Sequence, residues 1–145
     1  MALRNVLLAE DDADDRELFL EAMSVVAPDI KVATVENGEK LIKLLTESHL
    51  SPDCIFLDLN MPRKNGRVCL IELKNNAKTR NIPIVIYSTS ISKKDVDETF
   101  HRGATCFIRK PNSFRELTLL LNKYITSISV RSDAPLVKHD FILNS

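Results

Sequence analysis

Short, wholly apolar runs alternate along the chain with longer stretches in which apolar residues return every three or four positions. The runs are Val6-Leu7-Leu8-Ala9, Cys54-Ile55-Phe56-Leu57, Ile82 to Tyr87 and Cys106-Phe107-Ile108, and Ile30 to Val35, which includes Lys31 and Thr34, reads as a further strand from its β-branched residues. A run with no polar alternation is what a strand buried on both faces requires. The stretches between them read as helices. Leu18, Phe19, Ala22, Met23 and Val26 share one helical face, and Leu41, Ile42, Leu44 and Leu45 mark a second helix. Val68, Leu70, Ile71 and Leu73 mark a third, running to about Asn76, and Val96 with Phe100 anchor a fourth from Lys93 to Arg102. Phe114, Leu117, Leu121, Tyr124 and Ile128 mark a fifth. Pro28, Asn37-Gly38, Pro52-Asp53 and Gly103 supply the breaks, and Asp12 or Asp14 and Ser113 are suited to cap the first and last helices.

Strand followed by helix, five times over, predicts a doubly wound α/β fold: a five-stranded parallel sheet with helices on both faces. Residues 1–128 make one domain on this reading. Residues 129–145 are polar, contain Pro135 and form a tail, open to partial order or to a role in a dimer contact. In such sheets ligands bind beyond the carboxyl ends of the strands, where the winding reverses. Those ends carry Glu10-Asp11-Asp12, Asp58, Ser88-Thr89 and Lys110. Asp58 stands out because an apolar run stops abruptly on it, several residues before the next helix.

Composition narrows the chemistry. Of 145 residues, 44% are hydrophobic and 28% charged, and Lys plus Arg equals Asp plus Glu at 20 each, so overall charge gives no pointer to nucleic acid. Locally, six acids face the single Arg16 between Glu10 and Glu17, a field that attracts cations. Hard carboxylate ligands without nearby His or Cys favour magnesium. With such an ion beside it, a carboxylate such as Asp58 can attack phosphorus and form an acyl phosphate. Lys110 is then a counter-charge for the phosphoryl group and Ser88 a hydroxyl for the same oxygens. Each feature has a plainer use: the acids as helix-start residues, Lys110 as a solvated lysine before a Pro turn, Ser88 as a strand-end serine. Their joint placement at four strand ends carries the inference. Cys54, Cys69 and Cys106 are widely spaced in apolar runs and read as buried free thiols of a reducing compartment. The start of the chain lacks a signal-peptide apolar region, and no run nears the roughly 18 residues of a membrane span, so a cytoplasmic protein is expected.

Four motifs resemble one family. Val6-Leu7-Leu8-Ala9-Glu10-Asp11-Asp12, Phe56-Leu57-Asp58-Leu59-Asn60-Met61-Pro62 with Asn65-Gly66, Ile84-Val85-Ile86-Tyr87-Ser88, and Gly103-Ala104 through Arg109-Lys110-Pro111 resemble the receiver domain of two-component response regulators. The resemblance covers roughly residues 3–128 and implies the strand order 2-1-3-4-5. It implies Asp58 as phosphoacceptor, Asp11 as a magnesium ligand with Glu10 in support, and the Asn60 backbone carbonyl as a further ligand. Lys110 would bind the phosphoryl group, with the Lys110–Pro111 bond cis. Ser88 and Phe107 fall at the family's switch positions, although Phe107 serves equally well as a core residue. Asn60, Thr89 and Ser90 fall where the acyl-phosphate lifetime is tuned; Thr89 is larger than the small residue often found there. The partners implied are a histidine kinase or histidine phosphotransfer protein and a downstream output protein. The change would be read on the face made by the fourth helix, fifth strand and fifth helix, a face that also suits a homodimer, with Leu119 as an apolar contact. No output domain follows residue 128, so a stand-alone regulator is expected, with wording nearest to those that partner phytochrome-type or hybrid histidine kinases. Neither nucleic acid nor membrane is implied as a partner, and no turnover enzyme. The competing readings are a metal-dependent phosphatase with an Asp nucleophile, which usually carries a second Asp where this chain has Asn60, a flavin or nucleotide carrier on the same fold, disfavoured by the acidic first loop, and a docking module that works without phosphorylation.

Overall fold

The computed structural model describes residues 3–130 and 141–143. The chain runs β1 (Asn5–Ala9), α1 (Ala13–Val26), β2 (Lys31–Val35), α2 (Gly38–Glu47), β3 (Cys54–Leu57), α3 (Gly66–Lys74), β4 (Ile84–Ser88), α4 (Lys93–His101), β5 (Cys106–Arg109) and α5 (Phe114–Val130). All pairings are parallel and the order is β2-β1-β3-β4-β5, as expected. The fourth strand starts at Ile84 rather than Ile82. Pro83 has no N–H to give the ladder, and only its carbonyl is used, by the Ile55 N–H at 2.9 Å.

Strand side chains alternate between the two faces, which sorts the apolar runs into two cores. Leu7, Ile55, Leu57, Ile84, Ile86 and Phe107 point toward α2, α3 and α4 and meet Leu41, Leu70 and Val96. Leu8, Phe56, Val85, Tyr87 and Ile108 point the other way and meet Phe19 and Met23 of α1 and Leu121 and Tyr124 of α5. A continuous apolar run is thus a strand that feeds both cores. Asp12 caps α1 by accepting the Asp15 N–H at 3.0 Å, and Ser113 caps α5 by accepting the Glu116 N–H at 3.1 Å. Gly103 closes α4 with φ +96°, a conformation that favours glycine. Leu18 and Phe114, which helical spacing places inward, are exposed and flank one depression beside Lys110. The three cysteines are buried and free. Among the described residues no helix is long and apolar enough to cross a membrane, and no peptide bond is cis, so the Lys110–Pro111 bond is trans, contrary to the resemblance.

The far end of the chain contributes something the pattern does not announce. Residues 131–140, with Pro135, lie outside the described residues. Beyond them Phe141 is fully buried and joins the core under α4. Its carbonyl accepts the Phe107 N–H at 2.9 Å, and the Leu143 N–H donates to the Phe107 carbonyl at 2.9 Å. This parallel bridge covers the outer edge of β5, which otherwise presents unpaired backbone groups. The Phe141 ring packs edge-on against Phe100 and Phe107, at centroid separations of 5.3 and 6.1 Å. Phe141→Ala is therefore expected to lower unfolding stability in urea by about 3–5 kcal/mol, the cost of truncating a fully buried phenylalanine. A midpoint equal to that of the wild type would show that the ring is not part of the core.

Candidate functional site

Register brings the candidate residues to one edge of the sheet. The Asp58 N–H donates to the Ala9 carbonyl (3.1 Å), the Glu10 N–H to that of Val35 (3.0 Å) and the Lys110 N–H to that of Ser88 (2.8 Å). The residue following each strand is thereby held level with its neighbours. Arg16 fixes the turn after β1: its Nη1 donates to the Glu10 carbonyl (2.8 Å) and the Asp11 carbonyl (3.0 Å). Below Asp58 the loop of residues 59–66 folds back tightly, with the Gly66 N–H on the Leu59 carbonyl at 2.9 Å. A Cβ at Gly66 would lie 2.1 Å from the Asp58 carbonyl oxygen, so any other residue there displaces the Asp58 backbone.

Glu10, Asp11 and Asp58 bring one carboxylate oxygen each within 4.8 Å of one another, with Glu10 and Asp58 buried and Asp11 exposed. Burial pushes the Glu10 carboxyl up to about 8; Lys110 opposes the rise and the Asp58 charge adds to it. Burial likewise raises Asp58, against the pull of Lys110. Glu10 Oε1 is paired with the Lys110 ammonium. Three converging hard carboxylates, two of them buried, fit a small divalent cation. The Asn60 N–H donates to Asp58 Oδ1 at 3.3 Å, and its side chain is exposed.

Lys110 is the counter-charge. Its side chain is 8% exposed and its Nζ meets three carboxylates: Glu10, Asp15 Oδ2 at 3.0 Å and Asp58 Oδ2 at 3.7 Å. It also lies 5.5 Å from the centre of the Tyr87 ring. Burial disfavours its charge, but Glu10, Asp58 and Asp15 outweigh that and hold the ammonium above the usual lysine range.

Ser88 is fully buried, and its Oγ accepts the Ser90 N–H at 3.4 Å. Ile86 pairs with Phe107, so Ser88, two residues on, shares with Phe107 the sheet face under α4. Thr89 is exposed. Ser90 Oγ lies 3.4 Å from Asp95 Oδ2, and Arg67 holds the same carboxylate through Nε (3.0 Å) and Nη2 (2.8 Å). Asp95 is nearly buried, which works against its charge, but Arg67 outweighs this and holds the carboxyl below the usual range. Sequence reasoning missed Asp15, Arg16 and the Arg67–Asp95 pair. The lysine contact of Asp15 spans 95 residues and leaves no local signal.

The comparisons agree with this geometry. Residues 6–122 match the response regulator receiver domain family. Response regulator Rcp1 of Synechocystis sp. is 30% identical over 117 residues, covering 77% of this chain and 80% of that protein. The probable C4-dicarboxylate response regulator DctR of Bacillus subtilis is 30% identical over 119 residues and covers 82% of this chain, which spans only 51% of it. Among solved structures, the phosphorylated cyanobacterial phytochrome response regulator RcpA superposes with a TM-score of 0.82 at 28% identity, covering 93% of this chain and all of its own. The Mn(2+)-bound form of Rcp1 superposes with a TM-score of 0.78 at 26% identity, covering 92% and 99%. The match of residues 6–122 and the likeness to Rcp1 show that the chain belongs to the response regulator receiver domain family, a family of signalling modules rather than enzymes.

Proposed function

We propose that the protein accepts a phosphoryl group on Asp58 from the phosphohistidine of a histidine kinase or histidine phosphotransfer protein, with magnesium, and passes the change to a partner. The observation that carries this reading is the placement of Asp58: a buried carboxylate at a strand end, within ligand reach of Glu10 and Asp11 and facing Lys110. An Asp58 carboxylate oxygen forms the new P–O bond. The donor N–P bond breaks, and its electron pair stays on the imidazole nitrogen, which takes up a proton. Glu10, Asp11, Asp58 and the Asn60 carbonyl would hold the magnesium, which supplies charge neutralisation between the carboxylates and the incoming phosphoryl group. Lys110 pairs with a phosphoryl oxygen, and Ser88 offers its hydroxyl to another. Exposed Asn60 and Thr89, with Ser90, border the approach of water and so tune the lifetime of the acyl phosphate. The Asn60 side-chain amide is far too weak an acid to protonate a leaving group, which leaves the phosphatase reading without its second carboxyl.

Movement of Ser88 frees space on the face it shares with Phe107, whose ring shifts in response. The readout is the α4–β5–α5 face, and the equilibrium between its two arrangements is what phosphorylation biases. The docked Phe141–Leu143 stretch lies on the β5 edge of that face, and Leu119 of α5 is exposed. Its readers are a downstream protein or a second copy of the chain, and the donor places the protein in the cytoplasm.

Two outcomes follow. Intact-mass measurement after acetyl phosphate is expected to show one added phosphoryl group that requires magnesium and is absent in Asp58→Asn; an undiminished adduct in that variant would sink the reading. In the metal-free protein, Glu10 has a folded-state pKa near 8 against 4.5 unfolded, so the native state binds the extra proton. Stability is then full below about pH 4.5 as far as this group is concerned and falls as pH rises toward 8. Glu10→Gln should flatten that slope in chelator-treated protein; an equal slope would place its cause elsewhere.

A further inference from the structure

Three carboxylates meet Lys110, and two of them have other work. Glu10 and Asp58 belong with Asp11 to the acidic cluster, whereas Asp15 does not. Asp15 lies in the first turn of α1, fixed there by its N–H bond to the capping Asp12. From that position its Oδ2 takes a hydrogen bond from Lys110 Nζ at 3.0 Å. The ammonium is 3.7 Å from Asp58, in ion-pair range but beyond a hydrogen bond. Lys110 is therefore held by Glu10 and Asp15 more closely than by Asp58, and its side chain is too buried for water to replace a lost partner freely.

We propose that Asp15 is a positioning residue that competes with the phosphoryl group for Lys110 and so sets how strongly the site holds that group. The inference rests on the reading of Asp58 as phosphoacceptor. A lysine ammonium has three donors, and each one engaged by a carboxylate is unavailable to a phosphoryl oxygen. Asp15 also adds a negative charge near an incoming anion. Both effects act in one direction: Asp15 weakens phosphoryl binding and shortens the life of the acyl phosphate. Asp15 is about one-third exposed, so solvent screening keeps the effect modest.

The test compares wild type, Asp15→Asn and Asp15→Glu. Each is titrated with beryllium fluoride in the presence of magnesium and followed by fluorine NMR, and acyl-phosphate decay is followed by intact mass. Asp15→Asn is expected to bind the analogue about two- to fivefold more tightly and to lose its phosphoryl group correspondingly more slowly. Asp15→Glu restores the charge and is expected to return toward the wild type. In a Lys110→Ala background Asp15→Asn should raise affinity less than it does in the wild type, because the competition for the ammonium is gone and only the charge effect is left. A purely structural Asp15 would lower the thermal midpoint and leave affinity unchanged or weaker, and that result overturns the proposal. Wild type that neither binds the analogue nor forms an adduct would instead overturn the reading of Asp58.

Discussion

The site depends on a shortage of positive charge. Glu10 and Asp58 are buried side by side with Asp11 at their edge, and Lys110 is the cation that reaches into them. Burial raises the proton affinity of both Glu10 and Asp58, and neighbouring negative charge, Asp58 on Glu10 and Asp11 on Asp58, adds to the rise. The parallel sheet maintains this unfavourable arrangement because its register fixes the residue after each strand. Two cores clamp that sheet from both sides, so the carboxylates cannot separate without breaking apolar contacts. A bound cation would relieve the shortage.

From there two routes lead to the surface. One is polar: the Ser88 hydroxyl accepts the Ser90 N–H, Ser90 meets Asp95, and Arg67 at the start of α3 grips Asp95 at the start of α4. The loop following β4 is thus tied to the helices on either side of it. The other is aromatic: Phe107 carries Phe141 at its edge, and Phe100 of α4 closes over Phe141. Both routes meet on α4, which carries Asp95 near its start and Phe100 near its end.

Much of this was legible in the sequence, for identifiable reasons. A strand buried on both faces is written as an unbroken apolar run, which made β1, β3, β4 and β5 readable, whereas the edge strand β2, with Lys31 and Thr34 exposed, was legible from its β-branched residues. Asp58 was visible because a carboxylate ends such a run. What stayed hidden depends on contacts distant along the chain. Asp15 looks like an ordinary acid in a helix's first turn, and only the fold brings Lys110 to it. Phe141 sits in a short apolar triplet, Phe141-Ile142-Leu143, too short to show strand or helix periodicity, yet it fills a core position. Leu18 and Phe114 show the opposite failure: their spacing placed them inward, but they flank the rim of the site and remain exposed. The Lys110–Pro111 bond, expected cis from family resemblance, is trans.

The charge shortage is tested most directly by titrating magnesium into the protein by calorimetry in buffers of different ionisation enthalpy. One ion per chain should bind, with release of protons from the Glu10–Asp58 pair near neutral pH, and Asp11→Asn should abolish or greatly weaken binding. Absence of binding, or binding without proton release and indifferent to Asp11, would contradict the account.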